Sequence, residues 1–154
     1  MTFNEYKALV EEHYKTDSVS RKNEIENKLF TALIALAKHL EKLYRKYGLS
    51  FINDSNWRDD RGYYEIMEFY DDEAYLNYSD RWQYGGRCDI GITIDAKYFD
   101  VEERNKKEQE LKLDYISRLK TRFDVIDDRI KALYKEKSEI AEKLAKYEKE
   151  GVKQ

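Results

Sequence analysis

Two runs of apolar residues at helical spacing open the chain. Thr2 and Glu5 have the spacing of a capping box, which marks the start of a first helix of about three turns. The cap-forming residues 16–20 precede the second run, and Gly48 follows it as the residue past a helix C-terminus. The apolar stripe of this second run consists of Leu29, Phe30, Leu33, Ile34, Ala37, Leu40, Leu43, Tyr44 and Tyr47. The pattern therefore predicts two N-terminal helices.

The spacing changes to a strand pattern in the middle of the chain. Residues 53–62 carry turn-forming residues without periodicity and predict a loop. Residues 63–70 predict a strand, 74–78 a weaker one, and 87–95, where apolar and polar residues alternate, the clearest one. The Gly85-Gly86 pair predicts a two-residue hairpin turn, in which Tyr84 would oppose Arg87 and Trp82 would oppose Asp89. We therefore expect an antiparallel hairpin or meander.

A heptad pattern runs through the last third of the chain, within a helix expected from about Val101 to Lys149. Its a and d positions are Ile116, Leu119, Phe123, Ile126, Ile130, Leu133, Lys137, Ile140, Leu144 and Tyr147. Lys137 is the polar exception, of the kind that fixes register or partner at some cost in stability. A homodimer would cover this seam along its whole length; the alternative is that both N-terminal helices fold back on it within one chain.

These elements predict an α+β fold, with N-terminal helices, a central antiparallel β-hairpin or meander and a long C-terminal coiled-coil helix. One domain, 1–154, is expected, with a helical part (1–48), an acidic β-region (49–100) and the heptad helix (101–150). Of its 154 residues 41% are hydrophobic, too many for a wholly disordered chain. No run is long and apolar enough to cross a bilayer and the start lacks a signal-peptide pattern, so a cytoplasmic protein without membrane contact is expected.

Charge is distributed unevenly along the chain. Residues 1–50 and 101–154 each carry a formal charge of +2, whereas residues 51–100 hold 5 Lys and Arg against 12 Asp and Glu, a charge of −7. Tyrosines lie among these carboxylates, and Tyr, Trp and Arg are the side chains that anchor protein interfaces. The predicted partner-binding residues are Glu68, Asp71, Asp72, Glu73, Tyr75, Tyr78, Asp80, Trp82, Tyr84 and Arg87. The acidity argues against direct binding of nucleic acid, whose phosphates require cations.

Motifs for catalysis or metal binding are absent from the sequence. It contains no GxGxxG, P-loop, HExxH, GxSxG or CxxC pattern. His13 and His39 fall on separate predicted helices, and Cys88 alternates with isoleucines on the core side of a strand, where a thiol is not activated. The expectation is a protein without catalytic residues, cofactor or metal.

Three function classes follow. The first is a non-enzymatic inhibitor that occludes a basic, nucleic-acid-binding protein through the acidic, tyrosine-rich β-region; in size, acidity and lack of motifs the chain resembles phage-encoded inhibitors such as anti-CRISPR proteins. The second is a coiled-coil chaperone or scaffold. The stretch IGITIDAKYFDVEERNKKEQELKLDYISRLKTRFDVI, residues 90–126, resembles the final strand and second helix of prefoldin subunits. The third is a nucleotide-binding protein in which Trp82, Tyr84 and Arg87 stack on a base.

Overall fold

A computed structural model describes residues 1–51, 62–81 and 87–151 of the chain. The elements, in chain order, are α1 (Phe3–Lys15), α2 (Val19–Lys46), β1 (Tyr63–Phe69), β2 (Glu73–Arg81), β3 (Arg87–Asp95), a 3₁₀ turn (Ala96–Phe99) and α3 (Val101–Lys149). The predicted α+β fold is confirmed. The bounds of β3 and α3 agree with those expected from the sequence, whereas β2 is longer than predicted.

Both N-terminal helices begin and end as their sequences indicate. The Thr2 hydroxyl accepts a hydrogen bond from the Glu5 amide (3.2 Å), and the Glu5 carboxylate accepts one from the Thr2 amide (2.7 Å). At the end of α2, Gly48 has a φ of 68°. Its amide and that of Leu49 donate to the carbonyls of Arg45 and Tyr44. This is a Schellman motif, whose left-handed residue favours glycine because glycine has no Cβ.

The three strands form an antiparallel sheet in the order β1-β2-β3. The predicted hairpin register between β2 and β3 is wrong. Ser79 lies opposite Asp89 and Arg81 opposite Arg87, a shift of three residues from the pairing that a Gly85-Gly86 turn requires. Five residues, 82–86, therefore connect the strands, and connections of that length are also common in hairpins.

β1 carries an irregularity next to its pairing with β2. Ile66 pairs with Leu76 and Glu68 with Tyr75, so Met67 is an extra residue without a partner, and its side chain is exposed. A bulge of this kind shifts the alternation of the residues that follow. It brings Glu68 opposite Tyr75.

The core lies between one face of the sheet and the two N-terminal helices. The sheet contributes a central row in which Ile66, Leu76 and Ile92 are paired neighbours. The buried residues of the helices are Tyr6, Val10, Ile25, Leu29, Leu33, Leu36, Ala37 and Leu40. In α2, the predicted stripe is confirmed in part: Leu29, Leu33, Ala37 and Leu40 are in the core, together with Ile25 and Leu36, which the prediction did not include. Phe30 and Ile34 are half-buried, so the buried face of the helix is narrower than the predicted stripe.

Polar contacts fix the start of α3. Arg104 donates from Nη1 to the carbonyls of Tyr98 (2.7 Å) and Phe99 (2.8 Å), which satisfies the end of the 3₁₀ turn. One turn later, Glu108 accepts hydrogen bonds from Lys46 (2.6 Å) and the Tyr47 hydroxyl (2.9 Å). These donors lower the pKa of the Glu108 carboxyl, with the hydrogen bond from Lys46 as the main cause.

The chain divides into two compact units, Met1–Lys112 and Leu113–Gln154. Unit 1 contains the sheet, α1, α2 and the first residues of α3. Unit 2 contains the rest of α3. Leu111 is the buried residue of α3, and the heptad pattern begins five residues after it, at Ile116.

Candidate functional site: an acidic turn with tyrosines

The turn between β1 and β2 is held in place through its backbone. Across the turn, the Tyr70 amide donates to the Glu73 carbonyl (2.8 Å). The Asp72 carbonyl accepts from the Ala96 amide (2.7 Å). From α1, the Tyr14 hydroxyl donates to the Phe69 carbonyl (3.1 Å) and the Tyr6 hydroxyl to the Glu73 carbonyl (3.4 Å). The position of the turn is thus set by α1 and by the end of β3.

Side chains of the turn form a small surface, here called the tyrosine–carboxylate surface: Glu68, Tyr70, Asp71, Asp72, Glu73 and Tyr75. Two tyrosine hydroxyls donate to carboxylates, Tyr70 to Glu68 (2.9 Å) and Tyr75 to Glu73 (2.6 Å). The two rings meet edge to face, with centroids 5.9 Å apart. The hydrogen bonds orient both the rings and the carboxylates they hold.

No described cation neutralises this surface. Glu68, Asp71 and Asp72 are exposed, and Glu73 is half-buried. Among the residues that the structure describes, none of these four carboxylates forms an ion pair; the nearby Asp95 does, with Lys97 (2.8 Å). Carboxylates that are fixed, exposed and unneutralised produce a local negative potential, which attracts basic groups.

The structure places the other predicted partner-binding residues differently. Tyr78 was expected on the surface, but its side chain is buried against Tyr64, with ring centroids 5.0 Å apart. It belongs to the core because it lies two residues after Leu76 and therefore on the same, inner face of β2. Asp80 lies in β2 opposite Cys88, and Arg87 begins β3. Trp82 and Tyr84 lie outside the described residues, and with them most of the expected base-stacking site.

Tyr14 and Tyr70 belong to the site although the sequence analysis did not assign them to it. Tyr14 is 63% exposed and lies on α1, 55 residues before Phe69, so only the packing of α1 against the sheet brings it to the turn. Beside it, His13 packs edge-on against Phe69 (5.0 Å between centroids), and its Nε2 is 2.7 Å from a Glu26 carboxylate oxygen. His13 is thus packed against an aromatic ring and hydrogen-bonded to a carboxylate.

The predicted oligomerisation residues are exposed along unit 2. The apolar a and d side chains have exposed fractions between 38% (Ile116) and 70% (Phe123). None of them belongs to the core cluster that α1 and α2 enter. The seam is therefore an apolar stripe accessible along its length.

Groups of metal ligands and membrane-spanning helices are absent from the described part of the chain. Among the described side chains, which do not include those of residues 80–89, no three His, Cys, Asp or Glu are grouped as metal ligands would be. In the same part of the chain, no helix has the length and apolar character needed to cross a membrane. Neither a family model, nor a curated protein, nor a solved structure matches this chain.

The hydrogen bond between Tyr75 and Glu73 has a measurable effect on titration. It raises the pKa of Tyr75 above its usual value of 10.0, because ionising the phenol removes the donor and places two negative charges together. We expect Glu73→Gln to lower this pKa towards 10.0. Ultraviolet titration measures the pKa of Tyr75, once the titration curve of Tyr75→Phe has been subtracted to remove the signal of the other tyrosines. Glu65→Gln is the control, and an unchanged Tyr75 pKa in Glu73→Gln would contradict the assignment.

Proposed function

We propose that this protein is a non-enzymatic binding protein that docks onto a basic surface of another protein through its tyrosine–carboxylate surface. The observation that carries the proposal is the acidic turn itself. Four hydrogen bonds fix its backbone, and its carboxylates form no ion pair with any described residue. A surface already held in its binding geometry loses little conformational entropy on association.

The chemistry of this surface fits lysine and arginine side chains. Carboxylates pair with guanidinium groups through charge-assisted, often bidentate hydrogen bonds. The exposed rings of Tyr70 and Tyr75 add faces on which a cation can rest. Surfaces that bind nucleic-acid phosphates carry the same cations, so a nucleic-acid-binding protein is the partner class that this surface suits best. Occupying such a surface would inhibit the partner, as a phage-encoded, anti-CRISPR-like inhibitor does.

Reversing three charges tests this function. Asp71→Lys, Asp72→Lys and Glu73→Lys together should abolish attraction to a basic partner by slowing encounter and placing like charges in contact. The probes are purified DNA-binding proteins with basic surfaces, immobilised for interferometry at low and high salt. We expect wild-type binding that weakens with salt and a loss of about a hundredfold or more in the triple variant, since close charge pairs couple by about 1.5 kcal/mol or more each.

A matched control carries the same change in charge on unit 2. Asp124→Lys, Asp128→Lys and Glu142→Lys alter exposed positions of α3 that form no ion pair with a described residue and lie off the heptad seam. Binding should survive in this variant. Charge changes at exposed positions, which include Asp71 and Asp72, usually alter stability by about 0.5 kcal/mol or less each. Glu73→Lys also removes the acceptor of the Tyr75 hydroxyl, at a cost of about 1–2 kcal/mol. Circular dichroism should therefore show both variants folded. Binding indifferent to salt and to the first triple reversal, or no binding to any basic probe, would refute the proposal.

The exposed seam favours a second role, in scaffolding. A coiled-coil scaffold or prefoldin-like chaperone needs helices that assemble, and the apolar stripe of unit 2 is suited to assembly. The charge reversals above separate this role from the first. A protein of homogeneous oligomeric state whose binding is indifferent to the triple reversal and to salt would favour the scaffold.

A further inference from the structure

The apolar side chains of the heptad seam in unit 2 are exposed in the single chain. Nine apolar side chains of the seam lie along one stripe from Ile116 to Tyr147. This stripe is about 47 Å long at 1.5 Å per residue. Monomeric proteins rarely expose an apolar patch of this extent, so the stripe needs an occupant.

The residue types on the seam favour two strands. Ile at a followed by Leu at d occurs twice, at Ile116 with Leu119 and at Ile130 with Leu133. This combination is the one that favours parallel dimers over trimers and tetramers. Lys137 at a further a position acts in the same direction, because a single polar residue there specifies oligomer state and register.

Charges beside the seam distinguish the orientation of the second helix. In a parallel coil, position g of one helix faces position e of the next heptad in the other helix. Arg122 at g then faces Asp127 of the second copy, and Lys143 faces Glu148. Two-fold symmetry repeats both attractive pairs. At the remaining g positions, Tyr115 faces Lys120, Arg129 faces Tyr134 and Glu136 faces Ala141. No pair has like charges.

These charged groups are available for such pairs. Within the described part of the chain, Arg122, Lys143 and Glu148 have no ion pair. Asp127 uses one carboxylate oxygen, Oδ2, for Lys131 (2.7 Å), which leaves Oδ1. The parallel arrangement also brings Glu136 of each copy next to Lys137 of the other, which neutralises the lysine inside the seam.

An antiparallel coil of full overlap is less favourable. In that arrangement g faces g. One register places Arg122 against Lys143, although it also places Arg129 against Glu136; the other places Arg129 against Arg129 of the second copy, although it also places Arg122 against Glu136. Both antiparallel registers thus contain a like-charged pair, and the parallel one contains none. Like charges in these positions are the means by which coiled coils reject a wrong orientation. Asp127, at e, would face an uncharged residue, Tyr134 or Ala141.

We propose that unit 2 pairs with a second copy of this chain as a parallel, in-register, two-stranded coiled coil. The pairing does not depend on the proposed function, since it uses residues 116–148 and not the tyrosine–carboxylate surface. A parallel dimer carries two copies of that surface, so a partner with two basic patches would be bound with avidity.

A charge swap on the full-length chain tests both dimerisation and orientation. Sedimentation equilibrium at low ionic strength should give wild type a mass of twice 18.6 kDa. Arg122→Glu or Asp127→Arg alone places like charges together in both symmetric pairs and should weaken dimerisation about tenfold. The double swap recreates the pair with its signs exchanged and should restore dimerisation to within about threefold of wild type.

Asp128→Arg is the matched control, because it makes the same change of charge at the adjacent exposed position, off the seam. It should leave the dissociation constant unchanged. A concentration-independent mass of 18.6 kDa would overturn the proposal, and so would a trimer. Single reversals without effect, or a double swap without rescue, would overturn the parallel orientation and with it the arrangement proposed.

Discussion

Replacing Ile126 and Ile130 by aspartate should convert the protein from dimer to monomer. In the proposed coiled coil these two side chains occupy adjacent d and a layers, and the double change places four carboxylates in the apolar seam. An unpaired buried charge costs about 3–5 kcal/mol, which is enough to abolish association at micromolar concentrations. Light scattering across a range of concentrations measures the mass.

The residue next to Ile126 provides the control. Val125 is 62% exposed and lies at position c, off the seam. Val125→Asp introduces the same carboxylate one residue away and should leave the dimer intact. If Val125→Asp dissociates the protein as fully as the seam variant does, helix destabilisation rather than seam packing would be the cause. If neither variant dissociates it, the seam is not the interface.

Replacing Leu33 by alanine should strongly destabilise unit 1. Leu33 is fully buried in the core cluster between α2 and the sheet. Truncating a buried leucine removes its transfer free energy and leaves a cavity, at a cost of about 2–5 kcal/mol. Since domains of this size are stable by about 5–15 kcal/mol, the loss is a large share of the total. Urea unfolding followed by near-ultraviolet circular dichroism, which reports the packed tyrosines, measures it.

Leu133→Ala makes the same substitution at a seam position that is 55% exposed. It should be compared in the Ile126→Asp, Ile130→Asp background, where no dimer contributes to stability. We expect a change below about 0.5 kcal/mol there, as is usual at exposed positions. Equal losses in the two leucine variants would contradict the placement of the core in unit 1.

The sequence predicted the elements that local patterns determine. The capping box at Thr2, the left-handed Gly48 and the alternation of residues 87–95 each depend on neighbours in the chain, and the structure confirms them. The hairpin register was wrong because a favoured turn pair at Gly85-Gly86 competed with the inward-facing pairs of β2 and β3. Burial of Tyr78 opposite Ile90 outweighed the preference for a tight turn.

The candidate site was only partly predictable. Acidic residues and tyrosines between 68 and 75 were visible in the sequence as a composition, and the structure places six of them at one turn and the strand ends that flank it. The contribution of Tyr14 depends on where α1 crosses the sheet, which no local pattern encodes. The long helix that carries the heptad pattern was predictable from residues 101–149 because its period is a property of one helix, whereas the pairing of that helix stays a prediction.

The bulge at Met67 also affects how the sheet can associate. β1 is an edge of the described sheet, and an edge strand with regular, unpaired amides can accept another strand and start aggregation. The bulge breaks that regular spacing, and the exposed carboxylates of Glu65 and Glu68 on either side of it repel an incoming acidic copy of the same edge. Strand addition at β1 is therefore disfavoured, so the tyrosine–carboxylate surface next to it can be exposed without association through this edge of the sheet.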